Sequence, residues 1–271
     1  MSDFDAGLDT PGLAERDVQL LKDRGYTDPF DLLTETQCEA VIADANATTH
    51  RVSWYKGLHE FDSACAAAAS AAPLVSRAVQ FLGPEVMLWS TQMMRKKPGE
   101  PHRWHCDVEA MEWPTLNGWI GLRNVGAQAH LLIIPNSHQY GTIPQDHASE
   151  GIDLFDTTSV LAFARRHDAA AEVRPLVVNP GQAVLFDGKA WHGSQNTAPS
   201  TRYALLTQYS PSSAEIRIPT SYERPATWSN QRPACSVVAG SGETPNDVIA
   251  VRRALRGRGL HRLHPRALKN R

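Results

Sequence analysis

The sequence predicts a mainly β protein with flanking helices. Three observations carry that prediction. From Val86 onward, short apolar runs follow one another at 86–96, 103–109, 116–125, 130–135, 174–178, 182–187 and 202–210. Turn signals such as Asn179-Pro180-Gly181 and Asp187-Gly188 fall between or after them. The first third of the chain reads as helical instead. Many short strands separated by turns make a β-sandwich or barrel, of which the double-sheet jelly roll is one solution.

Each element has its own signal. Thr10-Pro11 offers an N-cap followed by proline at the first helical position, and Leu13, Val18, Leu20 and Leu21 supply apolar positions until Gly25 stops the run. Thr34 and Gln37 have capping-box spacing ahead of Cys38, Val41 and Ile42. An alanine-rich segment runs from Ser63 to Ala72, and Pro73-Leu74 opens a further helix that ends at Gly83-Pro84. This helical part, 10–83, flanks the β core at 86–210. A polar insertion at 136–172, with a helix from Thr157 to Arg166, is where a lid or substrate-binding segment is expected. Residues 211–271 form a C-terminal extension, and the whole chain, 1–271, reads as one domain.

Composition removes several function classes. A formal net charge of −2 over 271 residues gives no global nucleic-acid footprint. The exception is the stretch from Arg252 to Arg271, with seven Arg, one Lys and no acid, which reads as a solvated terminus. Four scattered cysteines, Cys38, Cys65, Cys106 and Cys235, suggest reduced thiols rather than a disulfide framework. No run approaches the ~18 apolar residues of a membrane span. The acidic start, MSDFDAGLDTPG, is unlike a signal peptide, so a cytoplasmic location is expected. Nothing in the sequence sets an oligomeric state.

The chemistry begins at Trp104-His105-Cys106-Asp107-Val108-Glu109. In a strand, residues two apart share a face, so His105 and Asp107 present an imidazole and a carboxylate side by side. One more histidine would complete a facial triad with open positions, the arrangement of non-haem iron(II) oxygenases. His192 supplies it, at the end of a strand and tight turn running from Pro180 to Gly193. Ten residues beyond it, Arg202 lies in the alternating strand Arg202-Tyr203-Ala204-Leu205-Leu206. A guanidinium fork pairs bidentately with a carboxylate, which suits the far end of a dicarboxylic cosubstrate.

With these residues in place, the sequence resembles the phytanoyl-CoA dioxygenase-like branch of the iron(II)/2-oxoglutarate oxygenases, over roughly residues 28–210. The resemblance rests on the Lys97-Pro98-Gly99 turn before Trp104-His105-Cys106-Asp107 and on Leu131-Leu132-Ile133-Ile134-Pro135-Asn136-Ser137-His138. It continues through the Pro180-Gly181-Gln182 lead-in to His192, Asn196 and Arg202. Asn136 replaces the family's usual glycine there, and asparagine also tolerates left-handed backbone. The resemblance implies a double-stranded β-helix (jelly-roll, cupin-like) core and one Fe(II) on His105, Asp107 and His192. It further implies 2-oxoglutarate chelating the metal with its far carboxylate on Arg202, and O2 as co-reactant. The activity implied is oxidation of a small molecule with release of succinate and carbon dioxide. Related halogenases lack the metal-binding carboxylate, so retention of Asp107 disfavours halogenation.

Other assignments are open at this level. Gln92 is placed where relatives carry a polar cosubstrate contact, with Thr91 or Arg95 as alternatives. Trp104 and Trp191 either wall off the metal or serve the core. His102 follows Pro101 and precedes the predicted strand, so it is not taken as a ligand, and His138 reads as a loop-bracing residue. Trp54, Tyr55, His59, Trp113 and Trp119 offer aromatic platforms for sugar rings, or core packing. The insertion, with Gln139, Tyr140, Gln145, Asp146 and His147, suits a polar substrate such as a glycoside or natural-product intermediate that is hydroxylated or oxidatively cyclised. Two rivals share the ligand set: a cupin-like metal-binding protein without activity, which has no use for Arg202, and a zinc hydrolase, which needs Glu109 as its base.

Overall fold

The computed structural model describes residues 13–48, 52–61 and 63–249. The expected cap at Thr10-Pro11 and the basic stretch from Arg252 to Arg271 lie outside the described residues.

Four helices come first, broken by one short strand. Helix α1 (Leu13–Arg24) stops at Gly25, whose left-handed backbone (φ 88°) lets its N–H reach Leu21 O at 3.0 Å. Strand β1 (Phe30–Asp31) follows, then α2 (Glu35–Thr48). The capping box at its start is formed: Thr34 N–H donates to Gln37 Oε1 at 2.7 Å, and Gln37 N–H to Thr34 Oγ1 at 3.3 Å. Helix α3 (Ala64–Ala69) is capped by the Ser63 hydroxyl, and α4 (Ala72–Leu82) has a proline in its first turn and ends at Gly83. A buried ion pair, Arg77 Nε to Asp17 Oδ2 at 2.6 Å, ties α4 to α1.

The β core is two antiparallel sheets. Its strands are β2 (Val86–Lys96), β3 (His102–His105), β4 (Leu116–Arg123), β5 (Leu131–Ile133), β6 (Arg174–Leu176), β7 (Gln182–Asp187), β8 (His192–Ser194) and β9 (Arg202–Pro211). Past them lie β10 (Pro219–Ser221), β11 (Thr227–Trp228) and β12 (Ser236–Ala239). The larger sheet has the order β1-β7-β4-β9-β2-β12, the smaller β3-β8-β5-β6, and β10 and β11 pair separately. This is the expected jelly roll. The larger sheet reaches beyond 86–210, because β1 from the helical part and β12 from the C-terminal extension add its two edges. Both are too short for periodicity to show them.

Alternation on the large sheet separates packing from chemistry. On β9, Tyr203, Leu205 and Tyr209 point outward to meet Val41, Ile42, Leu74 and Ala78 of the helices. Ala204 and Leu206 point inward, against Trp119 and Phe186. Each fully buried leucine on the helix side contributes roughly 1.5–3 kcal/mol of burial. The insertion holds α5 (Thr157–Ala164), N-capped by Asp156, and packs Val160 and Phe163 onto Trp104 and Trp191. At the Asn179-Pro180-Gly181 turn, Gly181 has φ 83°, and a side chain there would strike the Leu33 carbonyl. Among the described residues no helix is long and apolar enough to cross a membrane.

Candidate active site

The sheet register puts His105 directly opposite His192 across β3 and β8. Cross-strand partners face the same way, so the two rings meet with centroids 4.2 Å apart. Asp107 joins them: one donor atom from each of the three lies within 4.8 Å of the others, a group that could hold a metal ion.

Asp107 arrives by a different route from the one expected. The strand stops at His105 rather than running to residue 109, and Val108–Met111 forms a 3-10 turn. The cause is a side chain standing in for a strand. Gln145 Oε1 accepts from Cys106 N–H at 3.0 Å, and its Nε2 donates to Cys106 O at 2.7 Å. Cys106 thus has both backbone groups satisfied without a ladder partner. Asp107 N–H then donates to Gly188 O at 3.1 Å, and Asp107 itself keeps extended backbone (φ −67°, ψ 121°).

Hydrogen bonds aim the donor atoms. His105 Nδ1 lies 2.8 Å from Arg103 O, and His192 Nδ1 lies 2.9 Å from Ala190 O. A carbonyl only accepts, so each Nδ1 carries the hydrogen and each Nε2 lone pair is turned to the centre. Burial, then the neighbouring His192, pushes His105 well below the ordinary imidazole range, which keeps it neutral and able to ligate. On Asp107, Oδ2 accepts from Asn117 Nδ2 at 2.5 Å and Gln208 Nε2 at 3.3 Å. The other oxygen, Oδ1, faces His105 Nε2 at 3.7 Å.

The three residues line a cavity of about 360 Å³ together with Gln92, Trp119, Phe186 and Arg202. Arg202, on the inward face of β9, has no solvent exposure, and burial pushes its pKa down to about 10. Its Nη2 donates to Ser194 Oγ at 3.1 Å, while Nε and Nη1 have no hydrogen-bond partner. A buried guanidinium with unmet donors on a cavity wall fits a carboxylate. Thr91 is occupied elsewhere, its hydroxyl accepting from His59 N–H at 2.7 Å, and Arg95 bonds to Asn46 at the exposed strand end. Gln92 alone of those three turns a side chain to the same face as Met94 and Leu206.

The remaining sequence candidates sort themselves clearly. His102 opens β3 instead of preceding it, with its ring 4.7 Å from that of His105, and stands outside the three-donor group. Trp104 and Trp191 belong to the core beneath the insertion, their indole N–H groups donating to Thr157 Oγ1 and Thr142 O at 3.1 and 3.0 Å. His138 Nε2 donates to Lys22 O at 3.2 Å, and Asn136 takes up the left-handed backbone (φ 63°). Trp54 and Trp113 are core residues, and His59 is fully buried; Tyr55 and Trp119 line the cavity. Glu109 is no free base. Its Oε1 is ion-paired with Lys56 Nζ at 2.8 Å. Burial works to lower the Lys56 ammonium, yet the Glu109 carboxylate holds it above the usual lysine range.

Sequence reasoning missed Asn117, Gln208 and Lys56, and saw Gln145 only as a substrate contact. Asn117 had one signal, as a lone polar residue inside an otherwise apolar run of a central strand, whereas Gln208 stands among Thr207 and Ser210 with no such contrast.

Residues 21–204 match the phytanoyl-CoA dioxygenase (PhyH) family. No curated protein matches the chain by sequence. Among solved structures, the fold is similar to the non-haem monooxygenase ThoJ in its apo form, with 15% identity over 85% of this chain and 86% of that one, TM-score 0.60. It is similar to the epimerase SnoN in complex with Fe3+, α-ketoglutarate and nogalamycin RO, at 16% identity over 75% and 86%, TM-score 0.58. A third, the α-ketoglutarate-dependent carbocyclase SnoK from nogalamycin biosynthesis, has 19% identity over 75% and 88%, TM-score 0.55. The match spans most of the chain, including both histidines, the aspartate and the arginine. The chain therefore belongs to the phytanoyl-CoA dioxygenase family and is a non-haem iron, 2-oxoglutarate-dependent enzyme.

Proposed function

We propose that this enzyme oxidises a polar small molecule, a natural-product or sugar-containing intermediate, by hydroxylation or oxidative cyclisation, with release of succinate and carbon dioxide. In this reading His105 Nε2, Asp107 Oδ1 and His192 Nε2 hold Fe(II), and Arg202 with Gln92 binds 2-oxoglutarate. The whole chain, 1–271, acts as one oxygenase domain. The observation that carries the reading is Arg202: fully buried, with Nε and Nη1 unpartnered, on the same cavity as the three donors.

When bound, iron(II) and 2-oxoglutarate supply with dioxygen the oxidising power that removes a substrate hydrogen. This chain's residues do the rest. Two histidines and one carboxylate would hold the ion and leave it room for the cosubstrate. Ser194 and the Trp119 ring, whose centroid lies 5.6 Å from the Arg202 guanidinium carbon, fix the arginine that orients the cosubstrate. Phe186 packs its ring 4.8 Å from that of His192 and keeps water from that side. Asp107 stands where the halogenase pattern requires a small residue, which favours oxygenation. SnoN and SnoK, which belong to nogalamycin biosynthesis, support a natural-product substrate.

The test is anaerobic titration of the purified protein with Fe(II) and then 2-oxoglutarate, watching for the weak visible charge-transfer band of the chelated cosubstrate. Absence of that band in folded, iron-loaded protein would end this reading.

A further inference from the structure

The cavity has a second polar end that the metal and its cosubstrate leave unused. Strand β9 measures the separation: Arg202 opens it and Gln208 comes six residues later, on the order of 20 Å away. The three metal donors lie along that line. Ser194, just past His192, touches Arg202, and Asp107 touches Gln208. Beyond Gln208 sit Lys56 and Glu109, both lining the cavity, with side chains 7% and 1% exposed.

This pair is incompletely satisfied. An ammonium has three donors. Lys56 Nζ gives one to Glu109 Oε1 at 2.8 Å and one, long, to Gln208 Oε1 at 3.5 Å. Glu109 Oε2 is buried and has no hydrogen-bond partner. One spare donor therefore sits beside one spare acceptor, in a place where unmet polar atoms are costly. The surroundings are aromatic: Nζ stands 5.0 Å from the Tyr222 ring centroid and 5.9 Å from that of Tyr55, with Trp54 and Trp89 at 6.0 Å. The two tyrosine hydroxyls bond to each other, and Tyr55 is 53% exposed, at the edge where the pair meets solvent.

We propose that Lys56 and Glu109 are the anchor for the oxidisable substrate, and that they take a neutral hydroxyl on a ring of the carbohydrate or polyol kind. A hydroxyl donates once and accepts, so it completes Glu109 Oε2 and Lys56 Nζ together. An ammonium has nothing to accept with, and a carboxylate nothing to donate. The pair's charges cancel, so it draws neither ion strongly, while the tyrosine rings offer flat faces to a ring skeleton. This inference rests on the iron and 2-oxoglutarate reading of the opposite end, since it makes the Lys56 end the one left for substrate.

The test uses anaerobic protein loaded with Fe(II) and 2-oxoglutarate, and ligand-observed NMR with four ring probes. These are methyl glucopyranoside, cyclohexanol, cyclohexylamine and cyclohexanecarboxylate. The hydroxylated probes should bind in preference to the amine and the acid. In Lys56→Met/Glu109→Gln, which leaves no lone buried charge, their Kd should rise about tenfold or more. Preference for either charged probe, failure of the hydroxylated probes to bind at millimolar concentration, or an unchanged Kd in the double variant each overturns the proposal. The wild-type ranking decides the matter even if the double variant does not fold. Loss of the iron–2-oxoglutarate band in the wild type would instead remove the functional reading beneath it, so the two failures are distinguishable.

Discussion

His105 and His192 are cross-strand partners, and each ring donates its Nδ1–H to the carbonyl two residues before it, at Arg103 and Ala190. The two imidazoles are thus set by one local device used twice, at adjacent strands of the smaller sheet. The hydrogen bonds that orient them end on backbone carbonyls. Asp107 is different, because side chains from distant elements place it.

Replacing Gln145 tests that dependence. Gln145→Ala removes both bonds to the Cys106 backbone between the ligands. Metal affinity should fall about tenfold to a hundredfold, the usual cost of losing a group that orients a ligand. Isothermal titration with Fe(II), or Co(II) in air, measures it. An unchanged affinity would show that the turn after β3 holds without the glutamine.

Asn117→Ala acts on the carboxylate itself. It removes the 2.5 Å bond to Asp107 Oδ2 and leaves only the longer one from Gln208. A loss of similar size in metal affinity is expected, with 2-oxoglutarate affinity at saturating metal little changed. A variant that lost cosubstrate and kept metal would contradict this placement.

Arg202→Ala should separate the two affinities in the opposite sense. Iron binding stays nearly intact, while the requirement for 2-oxoglutarate rises by roughly thirtyfold or more, matching loss of a buried charge partner worth about 2–5 kcal/mol. The charge-transfer band read against 2-oxoglutarate concentration gives the number. Lys at this position should recover little, since an ammonium lacks the fork.

Acid stability should report on His59. Its Nε2 donates to Ala234 O at 2.8 Å, just ahead of β12, and burial holds its pKa down at about 4. The folded protein keeps this imidazole neutral, whereas the unfolded chain takes up a proton below about pH 6.5. The stabilisation is therefore present above that pH and lost as pH falls toward 4, by on the order of 3 kcal/mol. Thermal melts across that window should flatten in His59→Gln; an equal slope in both proteins would remove His59 from the account.

Much of this was legible in the sequence because the strong signals are periodic or paired. The capping box at Thr34 and Gln37, the stop at Gly25, the long strands β2, β4, β7 and β9, and the His105 and Asp107 pair read from spacing, while His192 joins them through Arg202 downstream and the family resemblance. The end of β3 did not. A strand run continues on paper through residue 109, and only the side chain of Gln145, far along in the insertion, replaces its neighbour. Asn117 is visible as a polar residue in an apolar strand and Gln208 is masked by Thr207 and Ser210 beside it, and alternation does not say what waits opposite either. Lys56 sits in an irregular segment where no period exists to place it. The short strands β1, β10, β11 and β12 carry too few residues to show one.

Strand β9 ties the chemistry to the stability of the whole molecule. Arg202, Ala204, Leu206 and Gln208 share the inward face, where Arg202 and Leu206 line the cavity, while Tyr203, Leu205 and Tyr209 alternate with them and face the helices. A single-residue insertion or deletion ahead of Leu205 would exchange these faces for the part of the strand it displaces. Either Arg202 would turn into the helix-packing layer, or the outward residues, including Tyr209 with its bond to Ala69 O, would leave it. Both outcomes are disfavoured by the apolar layer that meets none of the reactants. The helices on the far side of the sheet thereby act as a phase lock: they select the reading frame in which the inward residues can work.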